Sequence, residues 1–163
     1  MSNDSFFISS QEPLSSEGNF SLVYPVENSS SRDYVGKVLK WSFLAPNFLF
    51  MDQFSGELKR ELTIANDLWK MGFSIPRHYN VSDLEVPGTH RTLPTLVMDR
   101  VDIVPETRLP KPKLLRALRD IIDEKMLAEF EGFVPGCDFY TNLLYSRVNN
   151  KFMMVDFAYW MRR

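Results

Sequence analysis

The stretch "NLLYSRVNNKFMMVDF", residues 142–157, has the pattern of two short strands joined by a polar turn. Apolar residues predominate in "LLYS" at 143–146 and in "KFMMVDF" at 151–157, and Asn149 and Asn150 lie in the turn between them. Asn142 precedes the first strand and Asp156 lies near the end of the second, fourteen positions later. A hairpin here would bring both side chains to one end. There they either hold a metal ion or cap two strand ends.

Upstream of this hairpin, the sequence predicts two pairs of strands, each followed by a helix. Strands are predicted over residues 19–26, 34–43, 77–86 and 92–101, and helices over 51–71 and about 113–130. In the first helix, apolar residues recur at intervals of three and four, namely Phe54, Leu58, Leu62, Ala65 and Trp69. The order strand, strand, helix, taken twice and followed by the hairpin, predicts an α+β fold with an antiparallel sheet.

Composition and charge are those of a one-domain globular protein. The 163 residues are 44% hydrophobic and 25% charged, and the net charge of −2 gives no electrostatic footprint for nucleic acid. With one cysteine and two histidines, the chain has no pair for a disulfide and too few soft ligands for zinc. It shows no secretory signal and no membrane span. We therefore expect a cytoplasmic or nuclear protein that binds neither nucleic acid nor a membrane.

The hairpin and the order of elements before it resemble the protein-kinase family. In that family, a catalytic-loop asparagine is followed by a short hairpin and the sequence D-F-G, and here Asn142 is followed by the hairpin and by Val155, Asp156 and Phe157. The resemblance implies that Asn142 and Asp156 hold Mg²⁺ beside the phosphates of ATP.

The resemblance also implies how the chain divides. A kinase-like N-terminal lobe would occupy residues 14–98 of a single domain at 14–163, followed by a hinge, one helix and the catalytic-loop hairpin in a truncated C-terminal lobe at 99–163. Residues 1–13 are polar, and we expect them to be a flexible segment.

Three features of the first half extend the resemblance to the nucleotide site. "SSEGNFSLV" keeps Gly18 of the family's three loop glycines and places Val23 at the loop's valine, whereas "VLK" at 38–40 resembles V-A-I-K. The resemblance implies that Lys40 binds the α- and β-phosphates and that Glu61, on the first helix, positions Lys40. Glu57, one turn earlier, is the rival of Glu61. Taken singly, these features also fit an ordinary hairpin turn, a solvated lysine and a surface glutamate.

Strand alternation assigns the two lysines of this segment to opposite faces. Lys40 falls on the face of Gly36 and Val38, and Lys37 falls on the other face with Leu39. Our expectation is that the face of Lys40 is the one that meets Glu61.

The remaining candidates are the hinge and the catalytic base. "LPTLVMDRV" resembles the kinase hinge, which implies that Met98 or Val97 lines the adenine pocket and that the backbone from Asp99 to Val101 binds the adenine. The family's catalytic aspartate stands five positions before the asparagine, where this chain has Cys137. Asp138, one residue later, is therefore the candidate base.

Together, these features predict a kinase-like protein that binds ATP and Mg²⁺. It would be a degenerate kinase or pseudokinase with at most weak phosphotransfer to a hydroxyl group, and if active an ATP-dependent kinase. The activation segment and most of the C-terminal lobe have no counterpart after Asp156, so we expect apolar residues to pack on one another, on a protein partner or second copy, or to stay exposed: Leu115, Ile122, Phe139, Met153 and Trp160. The alternative is a non-catalytic interaction module or decoy that binds no nucleotide.

Overall fold

The computed structural model of the protein describes residues 5–15, 20–28, 33–44 and 51–163. The chain forms two compact units. The first contains Met1–Leu62 and His78–Arg100, and the second contains Thr63–Arg77 and Val101–Arg163. The fold is α+β with an antiparallel sheet, as the sequence predicted.

The first unit contains a curled sheet of five antiparallel strands. The strand order is β1-β2-β3-β5-β4, and β1 also approaches β4 at the far edge. The strands are β1 (Phe7–Ile8), β2 (Ser21–Glu27), β3 (Tyr34–Leu39), β4 (His78–Val86) and β5 (Arg91–Asp99). Ile8 is buried and pairs with Val26, so part of the segment predicted to be flexible belongs to this sheet. Residues 1–4 lie outside the described part of the chain.

Strand β3 is central in the sheet, and all six of its residues are buried. Val35 and Leu39 pack against Leu58 of a long helix, whereas Tyr34 and Val38 contribute to the core on the opposite face. A strand buried on both faces has no polar side, which accounts for its almost continuous apolar sequence.

Among the described residues between β3 and β4, the chain forms two helices. Helix α1 (Lys40–Leu44) begins immediately after the strand, and helix α2 spans Met51–Lys70. The predicted strand over 34–43 is therefore wrong in its last four residues. The Ser42 hydroxyl donates a hydrogen bond of 2.6 Å to the Leu39 carbonyl oxygen, and this local bond favours a turn over an extended strand.

The second unit is built around helix α3 (Lys111–Phe130). Strands β6 (Phe133–Val134) and β9 (Met161–Arg162) form one antiparallel pair, and β7 (Leu143–Ser146) and β8 (Lys151–Met154) form the predicted hairpin. The core of the second unit includes Ala117, Ile121, Ala128, Phe133, Phe139, Phe157 and Trp160.

The apolar residues whose packing the sequence left open therefore divide into two groups. Phe139, Met153 and Trp160 are buried, whereas Leu115 and Ile122 are exposed on α3. Within the described residues, no helix is both long and apolar enough to cross a membrane.

Candidate functional site

The first unit contains a buried ion pair between β3 and α2. The Lys37 ammonium donates hydrogen bonds to both carboxylate oxygens of Glu61, at 3.0 and 2.9 Å. The two residues are only 4% and 1% exposed. Because a charge without a partner is costly in such an environment, each residue requires the other to be buried there.

The position of this pair follows from the periodicities of the two elements. Along β3, Lys37 shares a face with Val35 and Leu39, and this face packs against α2. On α2, Glu61 lies one turn after Leu58, which is buried in the same cluster. The carboxylate therefore projects toward the only charged residue on that face of β3.

This pairing corrects the sequence prediction for the lysine but not for the glutamate. Glu61 is the buried acid and Glu57 is exposed, as proposed. The lysine that the structure pairs with Glu61 is Lys37 rather than Lys40, because the face of β3 that meets α2 is that of Lys37. Lys40 lies beyond the strand, as the first residue of α1.

In the second unit, the β7–β8 hairpin brings Asn142 and Asp156 to the same end. The hairpin pairs Leu143 with Met154, so Asn142 lies opposite Val155 and Asp156 is the next residue along the chain. The amide of Val155 donates a hydrogen bond of 2.9 Å to the Asn142 carbonyl oxygen and extends the ladder by one residue. Asn142 and Asp156 are both half-buried, so polar side chains at this end of the hairpin remain accessible to solvent.

The candidate base Asp138 belongs to the same end of the hairpin. A 3₁₀ turn over Phe139–Asn142 separates it from the strand, and the Asn142 Nδ2 donates a hydrogen bond of 2.9 Å to Asp138 Oδ2. This bond fixes the orientation of the Asn142 amide. Its nitrogen is bound to Asp138, so the amide oxygen Oδ1 is the atom that remains for a cation.

Gly136 allows the backbone to pass close to Asp138, a role that the sequence did not reveal. A Cβ atom at this position would lie 2.6 Å from Asp138 Oδ1 and 2.9 Å from Tyr159 Cβ. At these distances, an added Cβ would force Asp138 or Tyr159 to shift. Gly136 thus lets the chain that follows Asp156 pack against the segment that carries Asp138.

Asp156 itself has an unusual backbone conformation. Its φ angle is 62°, in the left-handed region that residues other than glycine seldom adopt. The amide of Ala158 donates a hydrogen bond of 3.2 Å to Asp156 Oδ1, an interaction that stabilises this local turn. Such conformations occur preferentially at functional sites, where they fix the direction of a side chain.

The oxygen-bearing side chains of Asp138, Asn142 and Asp156 are the donor type that Mg²⁺ prefers. Among the residues that the structure describes, no three His, Cys, Asp or Glu side chains form a cluster suited to a metal ion. Mg²⁺ is usually bound in proteins by one or two carboxylates together with phosphate oxygens and water.

The other predicted nucleotide-binding residues lie apart from the hairpin in sequence. Val23 is half-buried in β2, and Met98 is buried in β5 within the cluster that includes Leu58. The amide of Arg100, in the predicted hinge, donates to the Asp33 carbonyl oxygen at 3.0 Å, and half-buried Val101 follows it. Gly18 lies outside the described residues.

The sequence was also compared with protein-family models and with curated proteins. Neither comparison gives a match.

Proposed function

We propose that the protein is a kinase-like protein that binds Mg²⁺ and ATP, with at most weak phosphotransfer to a hydroxyl acceptor. The observation that carries the proposal is the hairpin end, where Asn142 lies opposite Val155, Asp156 is the next residue, and the Asn142 amide donates a hydrogen bond to Asp138. Asp156 and the Oδ1 of Asn142 would bind the metal. Bound Mg²⁺ would neutralise charge on the nucleotide phosphates.

The buried pair in the first unit supports the same proposal independently. In kinases, a strand lysine binds the α- and β-phosphates and pairs with a helix glutamate. Lys37 and Glu61 have this combination of strand, helix and direct contact. We therefore assign to Lys37 the phosphate-binding role that the kinase resemblance implied for Lys40.

Asp138 is the residue we propose to orient an acceptor hydroxyl. Its Oδ2 is engaged by the Asn142 amide, and its Oδ1 lies beside Gly136. A carboxylate must lie within hydrogen-bond reach of the proton it accepts. Because Asp138 is four residues before Asn142 rather than five, we expect this step to be weak.

The test is thermal and chemical unfolding with ATP alone, Mg²⁺ alone and Mg·ATP. A ligand present at a hundred times its Kd should stabilise the native state by about 2.7 kcal/mol. We expect this gain with Mg·ATP, a smaller gain with ATP in the presence of a chelator, and loss of the difference in Asp156→Asn. Equal stability in all conditions would refute nucleotide binding.

Asp83→Asn is the matched control for this experiment. Asp83 is an exposed aspartate of β4, so its substitution removes the same charge without touching the hairpin or α3. The control should retain the full effect of Mg·ATP. An equal loss in Asp83→Asn and Asp156→Asn would mean that net charge, and not a metal ligand, determines the response.

A second candidate function is a non-catalytic interaction module. The observation that favours it is the exposure of apolar side chains along α3, with Phe130 at 86%. Association of the protein without any response to Mg·ATP would favour this function over nucleotide binding.

A further inference from the structure

Helix α3 has an apolar stripe on its exposed face that the proposed nucleotide site does not use. Its side chains recur at intervals of seven, four and four residues, which places them on one side of a helix: Leu115, Ile122, Met126 and Phe130. Leu115, Met126 and Phe130 are 57%, 61% and 86% exposed. The opposite face is covered by the core of the second unit, where Ala117, Ile121 and Ala128 are buried. The helix is thus apolar on two sides, and the second unit covers only one.

The charges of α3 and the residue after it are separated along the helix axis. Residues 111–119 contain four basic and no acidic side chains, for a net charge of +4: Lys111, Lys113, Arg116 and Arg119. Residues 120–131 contain five acidic side chains and one basic one, for a net charge of −4: Asp120, Asp123, Glu124, Glu129 and Glu131, with Lys125. The first half of this segment therefore complements the second half.

This distribution opposes the dipole of the helix. The N-terminus of a helix favours negative charge and the C-terminus favours positive charge. The first turn of α3 has no acidic residue, its last turn has no basic residue, and Pro110 provides no side-chain cap. The charges are unfavourable for the helix by itself, but favourable for a neighbour with the reverse charge order.

We infer that α3 is a self-association surface that binds α3 of a second copy of this chain in antiparallel orientation. Two antiparallel copies place the basic half of each helix against the acidic half of the other and bring the two apolar stripes together. They also oppose the two helix dipoles. A parallel arrangement would place like charges together along the whole contact.

The arrangement predicts a closed dimer rather than a longer assembly. The same surface is used by both copies, which are related by a two-fold axis, so no binding surface of this kind remains free. A helix of this length offers a contact of roughly 30 Å. The inference uses no residue of the hairpin site and does not rest on nucleotide binding.

The first experiment measures the mass of the whole protein in solution by sedimentation equilibrium, at several concentrations and two salt concentrations. We expect a monomer–dimer equilibrium that high salt weakens, because exposed charges are screened by salt. A protein that stays monomeric at every concentration in low salt would overturn the inference.

Two charge-reversal variants then test the orientation. Arg116→Glu with Arg119→Glu lowers the net charge of residues 111–119 from +4 to 0, and Asp123→Lys with Glu129→Lys raises that of residues 120–131 from −4 to 0. Each variant alone should dimerise much less than the original chain, because one half of each helix then has no net charge to attract the other half. An equimolar mixture should form a heterodimer, because the unaltered +4 half of one variant then meets the unaltered −4 half of the other. This recovery also shows that both variants are folded.

A control variant carries the same change in net charge as the Arg116→Glu, Arg119→Glu variant, but away from α3. Arg108→Glu with Arg147→Glu alters two exposed arginines of the second unit, and it should dimerise like the original chain. Two outcomes would overturn the antiparallel contact: either charge-reversal variant dimerising by itself as well as the original chain, or the mixture remaining monomeric.

Discussion

The two candidate regions differ in how completely their charges are enclosed. Lys37 and Glu61 are buried, and each carboxylate oxygen of Glu61 accepts a bond from the lysine. Asp138, Asn142 and Asp156 are half-buried, and they are joined through one side-chain hydrogen bond and the ends of a hairpin. The first region is therefore expected to contribute more to the stability of the fold, and the second is more accessible to a ligand from solvent.

The largest effect should come from breaking the buried pair. Glu61→Gln leaves the Lys37 charge in an apolar environment, and loss of one partner of a buried pair costs about 3–5 kcal/mol. Urea titration of the free energy of unfolding checks this value. Glu57→Gln, on the exposed side of the same helix, should change it by less than about 0.5 kcal/mol.

A double variant distinguishes the cost of an unpaired buried charge from the cost of altered packing around the pair. Lys37→Met with Glu61→Leu removes both charges and keeps much of the volume, and replacement of a buried pair by apolar residues is often neutral or stabilising. We therefore expect the double variant to be more stable than Glu61→Gln alone. A double variant no more stable than Glu61→Gln would mean that the pair's surroundings, and not its charge, determine the loss.

An intermediate effect is expected at Gly136, beside Asp138 in the hairpin site. Gly136→Ala adds a Cβ that would lie 2.6 Å from Asp138 Oδ1, and such overpacking costs about 1–3 kcal/mol. The free energy of unfolding is again the measurement. Gly56→Ala is the control, because nothing lies within 4 Å of its added Cβ. In the interior of α2, that alanine should stabilise the protein by about 0.5–1 kcal/mol.

The two regions also differ in how well the sequence predicted them. Glu61 was correctly predicted to be the acid of an ion pair, because its neighbours on α2, including Leu58, define a single buried face. The lysine was not, because β3 is buried on both faces and a period of two cannot show which face meets the helix. One signal in the sequence did favour Lys37. It shares its face of the strand with two large apolar residues, Val35 and Leu39, which pack against α2.

The hairpin was predictable because its information is local. Two apolar segments flank a turn with Asn149 and Asn150, and Asn150 adopts the positive φ angle of 56° that such turns favour. The close contact at Gly136 was not predictable, because it depends on Tyr159, which is distant in sequence. The end of β3 was missed because one hydroxyl, that of Ser42, helps to determine where the strand stops.

A smaller effect is expected from the hydrogen bond between Asn142 and Asp138 in the hairpin site. Asp138→Ala removes the partner of the Asn142 amide, and a bond between half-buried groups contributes about 0.5–1.5 kcal/mol. Chemical unfolding should show this loss, and it should be well below that of Glu61→Gln. Asp102→Ala removes an exposed aspartate that lies 3.8 Å from Arg147, and it should change stability by less than about 0.5 kcal/mol.

The smallest effect should come from Tyr24, in the core of the first unit. Its pKa is shifted by burial alone and not by a neighbouring charge. Burial raises the pKa of its phenol above the ordinary value of 10.0. Above that pH the unfolded chain loses the proton while the folded protein keeps it, so ionisation favours the unfolded state. The stability difference between the original chain and Tyr24→Phe should therefore be constant below pH 10.0 and should shift against the original chain above it. Parallel curves through this range would mean that the phenol is not shielded from solvent.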